Sequence, residues 1–166
     1  MARHNPTSSI ALGGVLAALA VVIQCMGTMI PVATFVCPML CMLLLKAVLS
    51  RCGDRIAWAW YGAVAILGAL LAPDKEAAAV FLFLGFYPIV KPKIDALRVK
   101  WLWKALYFNT AILIMYWLLL NIFGMARIAE EFAELGTVMT IVTLLLGNVT
   151  FFLLDRLLDK KFRRRK

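Results

Sequence analysis

The chain has 166 residues, 64% hydrophobic and only 16% charged, with 18 Lys+Arg against 9 Asp+Glu, and its mean hydropathy is +0.90. Soluble domains run at about 45–50% apolar and about 25% charged, so the composition excludes an ordinary water-soluble domain and points to an integral membrane protein. The formal net charge of +9 would suit nucleic acid, but the order of the basic residues along the chain ties them to the membrane instead, and no nucleic-acid partner is expected.

Charges and prolines divide the chain into six apolar runs. The first uncharged stretch, residues 5–45, is far longer than the roughly 7–15-residue apolar segment of a cleaved signal, and reads as two retained helices. Helix 1 is expected over about 8–29, ending before Pro31, and helix 2 over about 33–50, with Pro38 inside it. Helix 3 is expected over about 56–72, stopping at Pro73. The fourth run, about 75–90, is the shortest: its uncharged part, Ala77 to Val90, has 14 residues, against the roughly 20 that span a bilayer. Its acidic start suits a helix N-terminus. Pro88 lacks an N–H and is expected to loosen the last turn, while Lys91 and Lys93 snorkel toward the headgroups. Helices 5 and 6 are expected over about 101–125 and 133–156, followed by a basic tail, residues 157–166, suited to anionic lipid.

The basic residues alternate with the turns. Arg3 precedes helix 1. Lys46, Arg51 and Arg55 surround the second turn, Lys91, Lys93, Arg98, Lys100 and Lys104 the fourth, and Arg156 begins the tail set of Lys160, Lys161, Arg163, Arg164, Arg165 and Lys166. Only Lys75 and Arg127 fall on the other face, so one side collects 16 of the 18 basic residues. The positive-inside rule makes that side cytoplasmic. The expected fold is an all-α integral membrane protein, a single domain of six transmembrane helices with N- and C-termini cytoplasmic.

No catalytic constellation is present. His4 is the single histidine, and there is no GxSxG, HExxH or Walker A sequence, so an enzyme is not expected. The four cysteines, Cys25, Cys37, Cys41 and Cys52, form no CxxC pair and have no His nearby, which supports neither a zinc site nor a disulfide framework. No metal or cofactor is expected.

Polar residues within apolar runs are costly unless partnered, and are therefore candidate site residues. Those toward the outer side are Gln24 and Thr28 in helix 1, Thr34 in the turn between helices 1 and 2, Asp74 and Glu76 at the turn between helices 3 and 4, Tyr116, Trp117 and Asn121 in helix 5, and Thr137 in helix 6. As a set they outline an outward-facing pocket for a small amphipathic solute. Singly, Tyr116 and Trp117 also fit an aromatic belt, and Asp74 and Glu76 fit solvated positions. Glu130, Glu131 and Glu134 add to the acidic balance, which leans toward a neutral or cationic heteroaromatic ligand. Lower in the helices, Asn109, Thr110, Asn148 and Thr150 read as helix–helix glue. Helix 1 carries a ridge of small residues. Ala11, Gly14 and Ala18 share one face, and Gly13 and Ala17 are four apart; such ridges let another helix approach closely, from this chain or from a partner.

These parts have a family likeness. A chain of this size with six helices and both termini inside, a small-residue ridge in the inner half of helix 1, a Pro-containing turn after it, and the stretch LLAPDKEAAAVFLFLGFYPIVK together resemble the substrate-binding S component of energy-coupling factor (ECF) vitamin transporters. The resemblance covers nearly the whole chain and is mostly architectural. It implies a multi-pass protein of the bacterial plasma membrane that binds a vitamin or related small-molecule nutrient on the external side. It also implies a separate energizing module, one transmembrane coupling subunit and two ATPase subunits, consistent with the lack of a nucleotide-binding sequence here. In that family an Ala-xxx-Ala-type ridge on helix 1 meets the coupling subunit; the matching positions are Ala11, Gly14 and Ala18, or Gly13 and Ala17, with Gly where the motif usually has Ala. The competing expectation is a structural membrane protein resembling the small MreD-like rod-shape subunits, with no small-molecule ligand.

Overall fold

The structure, a computed structural model, describes residues 6–26, 33–121, 141, 144–145 and 147–159. These are helical almost throughout, with no strand among them. The chain forms two compact units, Met1–Ala96 and Leu97–Lys166.

The first unit contains α1 (Pro6–Cys25), α2 (Ala33–Cys52), α3 (Asp54–Leu71), α4 (Lys75–Leu84) and α5 (Tyr87–Asp95). Helix α2 is its centre and packs against α1, α3, α4 and α5. Its buried residues Cys37, Cys41, Leu45 and Val48 recur at helical spacing and form one inward stripe. Helix α3 turns Ala57, Trp60, Val64, Ala65 and Gly68 inward, and the small residues among them let its neighbours approach. Its other face presents Trp58, Ile66, Leu67 and Leu70 outward. A helix apolar on both faces needs lipid on the face that protein does not cover.

A single residue joins α2 to α3. Gly53 has φ 84° and ψ 175°, a region that is essentially glycine's alone, so the corner is tighter than the expected loop over residues 51–55. At the other end of α3, Ala72 N–H donates to the Gly68 carbonyl at 2.9 Å, and Pro73 prevents continuation.

The fourth crossing differs from expectation. It runs from Lys75 to Asp95, 21 residues, long enough to span a bilayer and longer than the expected 75–90. It is interrupted between α4 and α5 at Gly85 and Phe86. Pro88 does not loosen a last turn; it sits in the first turn of α5, where a missing N–H interrupts no helical bond. A Cβ on Gly85 would meet the Phe81 carbonyl oxygen at 2.2 Å, so the interruption is built around a glycine. Tyr61 of α3 donates its hydroxyl to the Leu82 carbonyl, one of the last four carbonyls that α4 cannot satisfy by itself. The Tyr61 ring lies 5.8 Å from both Phe81 and Phe86.

In the second unit, α6 (Lys100–Asn121) packs antiparallel to α7, residues 147–159. Positions 141 and 144–145 are helical as well. The register is fixed by pairs whose numbers run in opposite directions. Lys104 meets Asp155 at 2.8 Å, Phe108 stacks on Phe151 with centroids 4.9 Å apart, and Asn109 and Asn148 exchange amide hydrogen bonds of 3.3 and 3.1 Å. The asparagines thus act as the interhelical glue their position suggested.

Among the described residues, four helical segments, Phe35–Cys52, Asp54–Leu71, Lys75–Asp95 and Lys100–Leu119, are long and apolar enough to cross a membrane, and the apolar stretch of α1, Ile10–Cys25, is shorter. This is the pattern of a multi-pass membrane protein.

Candidate functional site

The expected outer-side residues divide between the two units. Gln24, Asp74 and Glu76 belong to the first, and Tyr116, Trp117 and Asn121 to the second. Thr28 and Thr137 lie outside the described residues. Thr34 is in the first turn of α2, its side chain outside the description.

Gln24 is the most unusual of the set. It lies one residue from the end of α1 and is 0% exposed. Its Nε2 faces Cys41 Sγ at 3.9 Å, a long contact with a soft acceptor. The Cys41 thiol in turn donates to the Ala20 carbonyl at 3.4 Å. With its own hydrogen committed there, the sulfur offers Gln24 only lone pairs, which sets the amide with Nε2 toward the sulfur and Oε1 away from it. Gln24 Oε1 has no hydrogen-bond partner, and it is the one buried side-chain polar atom in that state among the described residues. Leaving such an acceptor dry costs about 1–3 kcal/mol. The oxygen fits against α3 because Gly68 has no side chain; a Cβ there would meet it at 2.1 Å.

Asp74 and Glu76 stand where α3 gives way to α4. Asp74 caps α4, its Oδ1 accepting from Glu76 N–H at 3.0 Å and Ala77 N–H at 3.1 Å, as an N-cap aspartate does. Both carboxylates are half-buried. Between them, Lys75 turns back: its Nζ donates to the Ala69 and Leu70 carbonyls at 2.9 and 3.4 Å, which places the cation on the C-terminal end of α3. Gln24 and Asp74 stand near the same end of α3: the Gln24 oxygen lies against Gly68 in its last turn, and Asp74 follows six residues after Gly68.

In the second unit Trp117 is 61% exposed, and Asn121 spends its amide on its own helix, donating to the Trp117 carbonyl at 2.9 Å. Tyr116 is half-buried. The aromatic-belt alternative fits Trp117 well.

The small-residue ridge of α1 separates into two faces. Gly13 is buried against α3: its carbonyl accepts from Trp60 Nε1 at 3.1 Å, and a Cβ on it would lie 3.8 Å from Ile56. Ala17 is half-buried, while Ala11, Gly14 and Ala18 are exposed. A Cβ on Gly14 would meet nothing within 4 Å, so no packing within the chain requires a glycine there.

Two charged contacts went unanticipated. Lys104, counted among the cytoplasmic loop cations, is 5% exposed and paired with Asp155. The signal was present in α7: Asp155 stands four residues after Phe151 and three before Leu158, on the apolar stripe, where a carboxylate requires a partner. Lys91, at 3% exposure, is buried in α5 beside Asp95 at 3.5 Å and 5.9 Å from the centre of the Tyr87 ring. Among the described residues no three His, Cys, Asp or Glu side chains converge as metal ligands would. Compared with known protein families, characterised proteins and solved structures, the chain matches none.

Proposed function

We propose that this chain is the substrate-binding S component of an ECF-type importer in the bacterial plasma membrane. In this reading it captures a vitamin or related small organic nutrient on the external face, and both termini are cytoplasmic. Uptake is driven by a separate module of one transmembrane coupling subunit and two ATPases. The observation that carries the reading is Gln24, a fully buried amide whose carbonyl oxygen has no donor among the described residues and which stands at a candidate binding position. A buried polar group without a partner calls for an explanation, and a bound ligand supplies one. The exposed ridge of Ala11, Gly14 and Ala18 adds support, since Gly14 keeps open a surface that a partner helix can approach.

Affinity purification of the tagged chain from its host in mild detergent tests this. Two ATPase subunits and a coupling subunit should copurify, and Gly14→Leu should release them without lowering the thermal stability of the isolated chain. Recovery of cell-wall synthesis proteins with no ATPase would instead establish the MreD-like scaffold reading.

A further inference from the structure

Building on the importer reading, we infer that the outer end of the first unit selects a ligand that donates hydrogen bonds and is neutral or cationic, and that it rejects carboxylates and phosphates. The juxtaposition behind this is specific. Gln24 Oε1 is an acceptor with no donor among the described residues, and the Cys41 sulfur that faces Nε2 donates to the Ala20 carbonyl, an arrangement that suits this orientation of the amide. What the site offers at Gln24 is therefore a carbonyl oxygen, not an amide N–H.

The charges nearby have the same bias. Asp74 and Glu76 bring two carboxylates to the α3–α4 corner, six and eight residues after Gly68, against which the Gln24 oxygen lies. The cation between them in sequence, Lys75, is held away on the Ala69 and Leu70 carbonyls. Arg127, the other basic residue expected on that side, lies outside the described residues. A bound anion would face two carboxylates and a carbonyl oxygen in surroundings of low dielectric, where like charges repel strongly. A ligand N–H or O–H reaching Gln24 would instead satisfy the one buried side-chain acceptor left unmet among the described residues, and a positive charge would be attracted by the field of the corner. Gly68 contributes by absence, since any side chain there would occupy the place of the Gln24 oxygen.

The test is a thermal-shift series on the purified full chain in detergent, with probes sorted by charge. Nicotinamide and pyridoxine are neutral donors, thiamine is a cation, and nicotinate, biotin and pantothenate are anions. Stabilisation is expected from the donor or cation groups, with a Tm that rises with probe concentration. Gln24→Leu should weaken the stabilising probe at least tenfold while leaving the Tm of the unliganded chain unchanged or higher, because it removes an unmet acceptor from the interior. A residue with only a packing role would show the reverse, a lower Tm. Stabilisation by the anions alone would overturn the ligand class and leave the importer reading standing. Full affinity in Gln24→Leu would also overturn it. No stabilisation by any probe, with no small molecule retained through purification by mass spectrometry, would overturn both.

Discussion

Gln24 and Gly68 act as one unit, although 44 positions separate them in the sequence. The amide oxygen occupies the space that a side chain on α3 would fill, so the glycine is needed for volume rather than for backbone freedom. Gly68→Ala should destabilise the chain by about 1–3 kcal/mol, the usual cost of forcing an extra group into a packed interior. Adding Gln24→Ala should recover most of that loss, because the colliding oxygen is gone. Thermal unfolding of the two single variants and the double variant closes the cycle, and strictly additive effects would show that the two residues do not touch. Gly13 and Gly14 teach a related lesson. They are adjacent and alike in sequence, yet one is covered by Trp60 and Ile56 and the other faces outward, because neighbouring residues on a helix point about 100° apart.

Each element answers a local difficulty with a contact from elsewhere. The fourth crossing tolerates its interruption because Pro88 falls where a helix starts, Gly85 admits the Phe81 carbonyl, and Tyr61 supplies a donor to Leu82. The α6–α7 pair is joined by two polar layers, with the Phe108–Phe151 stack between them. The lower layer is the more consequential, since both charges are buried. Asp155→Asn should cost about 3–5 kcal/mol, because it takes away the carboxylate charge that faces the buried Lys104 ammonium. Replacing the pair together, Lys104→Met with Asp155→Leu, should return most of the stability, since well-packed apolar residues often match a buried ion pair. Unfolding midpoints in detergent distinguish the outcomes, and a single Asp155→Asn variant as stable as the parent would show that the pair contributes nothing. The asparagine layer is expected to matter less, as interhelical hydrogen bonds in membranes average about 0.6 kcal/mol.

For the whole molecule, topology is the property that charge dictates. In the proposed topology the first helix begins inside, which puts Lys75 outside and Lys93 inside, on opposite ends of the fourth crossing, and both side chains are exposed. In a cysteine-free background, Lys75→Cys should react with an impermeant maleimide in intact cells, and Lys93→Cys only after the membrane is opened. Labelling of both from one side would break the alternation on which the orientation rests. Membrane residence and the approximate positions of the crossings needed no tertiary information, because hydropathy and the order of basic residues are sums along the chain that survive any packing. The polar candidates could be picked out for the same reason, since a glutamine in an apolar run is visible without coordinates. Their fates could not. Contacts between distant positions decided that the Gln24 amide sets its nitrogen against Cys41 and its oxygen against Gly68, and that Lys104 is buried against Asp155. Each of these outcomes depends on which partner reaches a group once the helices have packed, and local sequence carries no record of that choice.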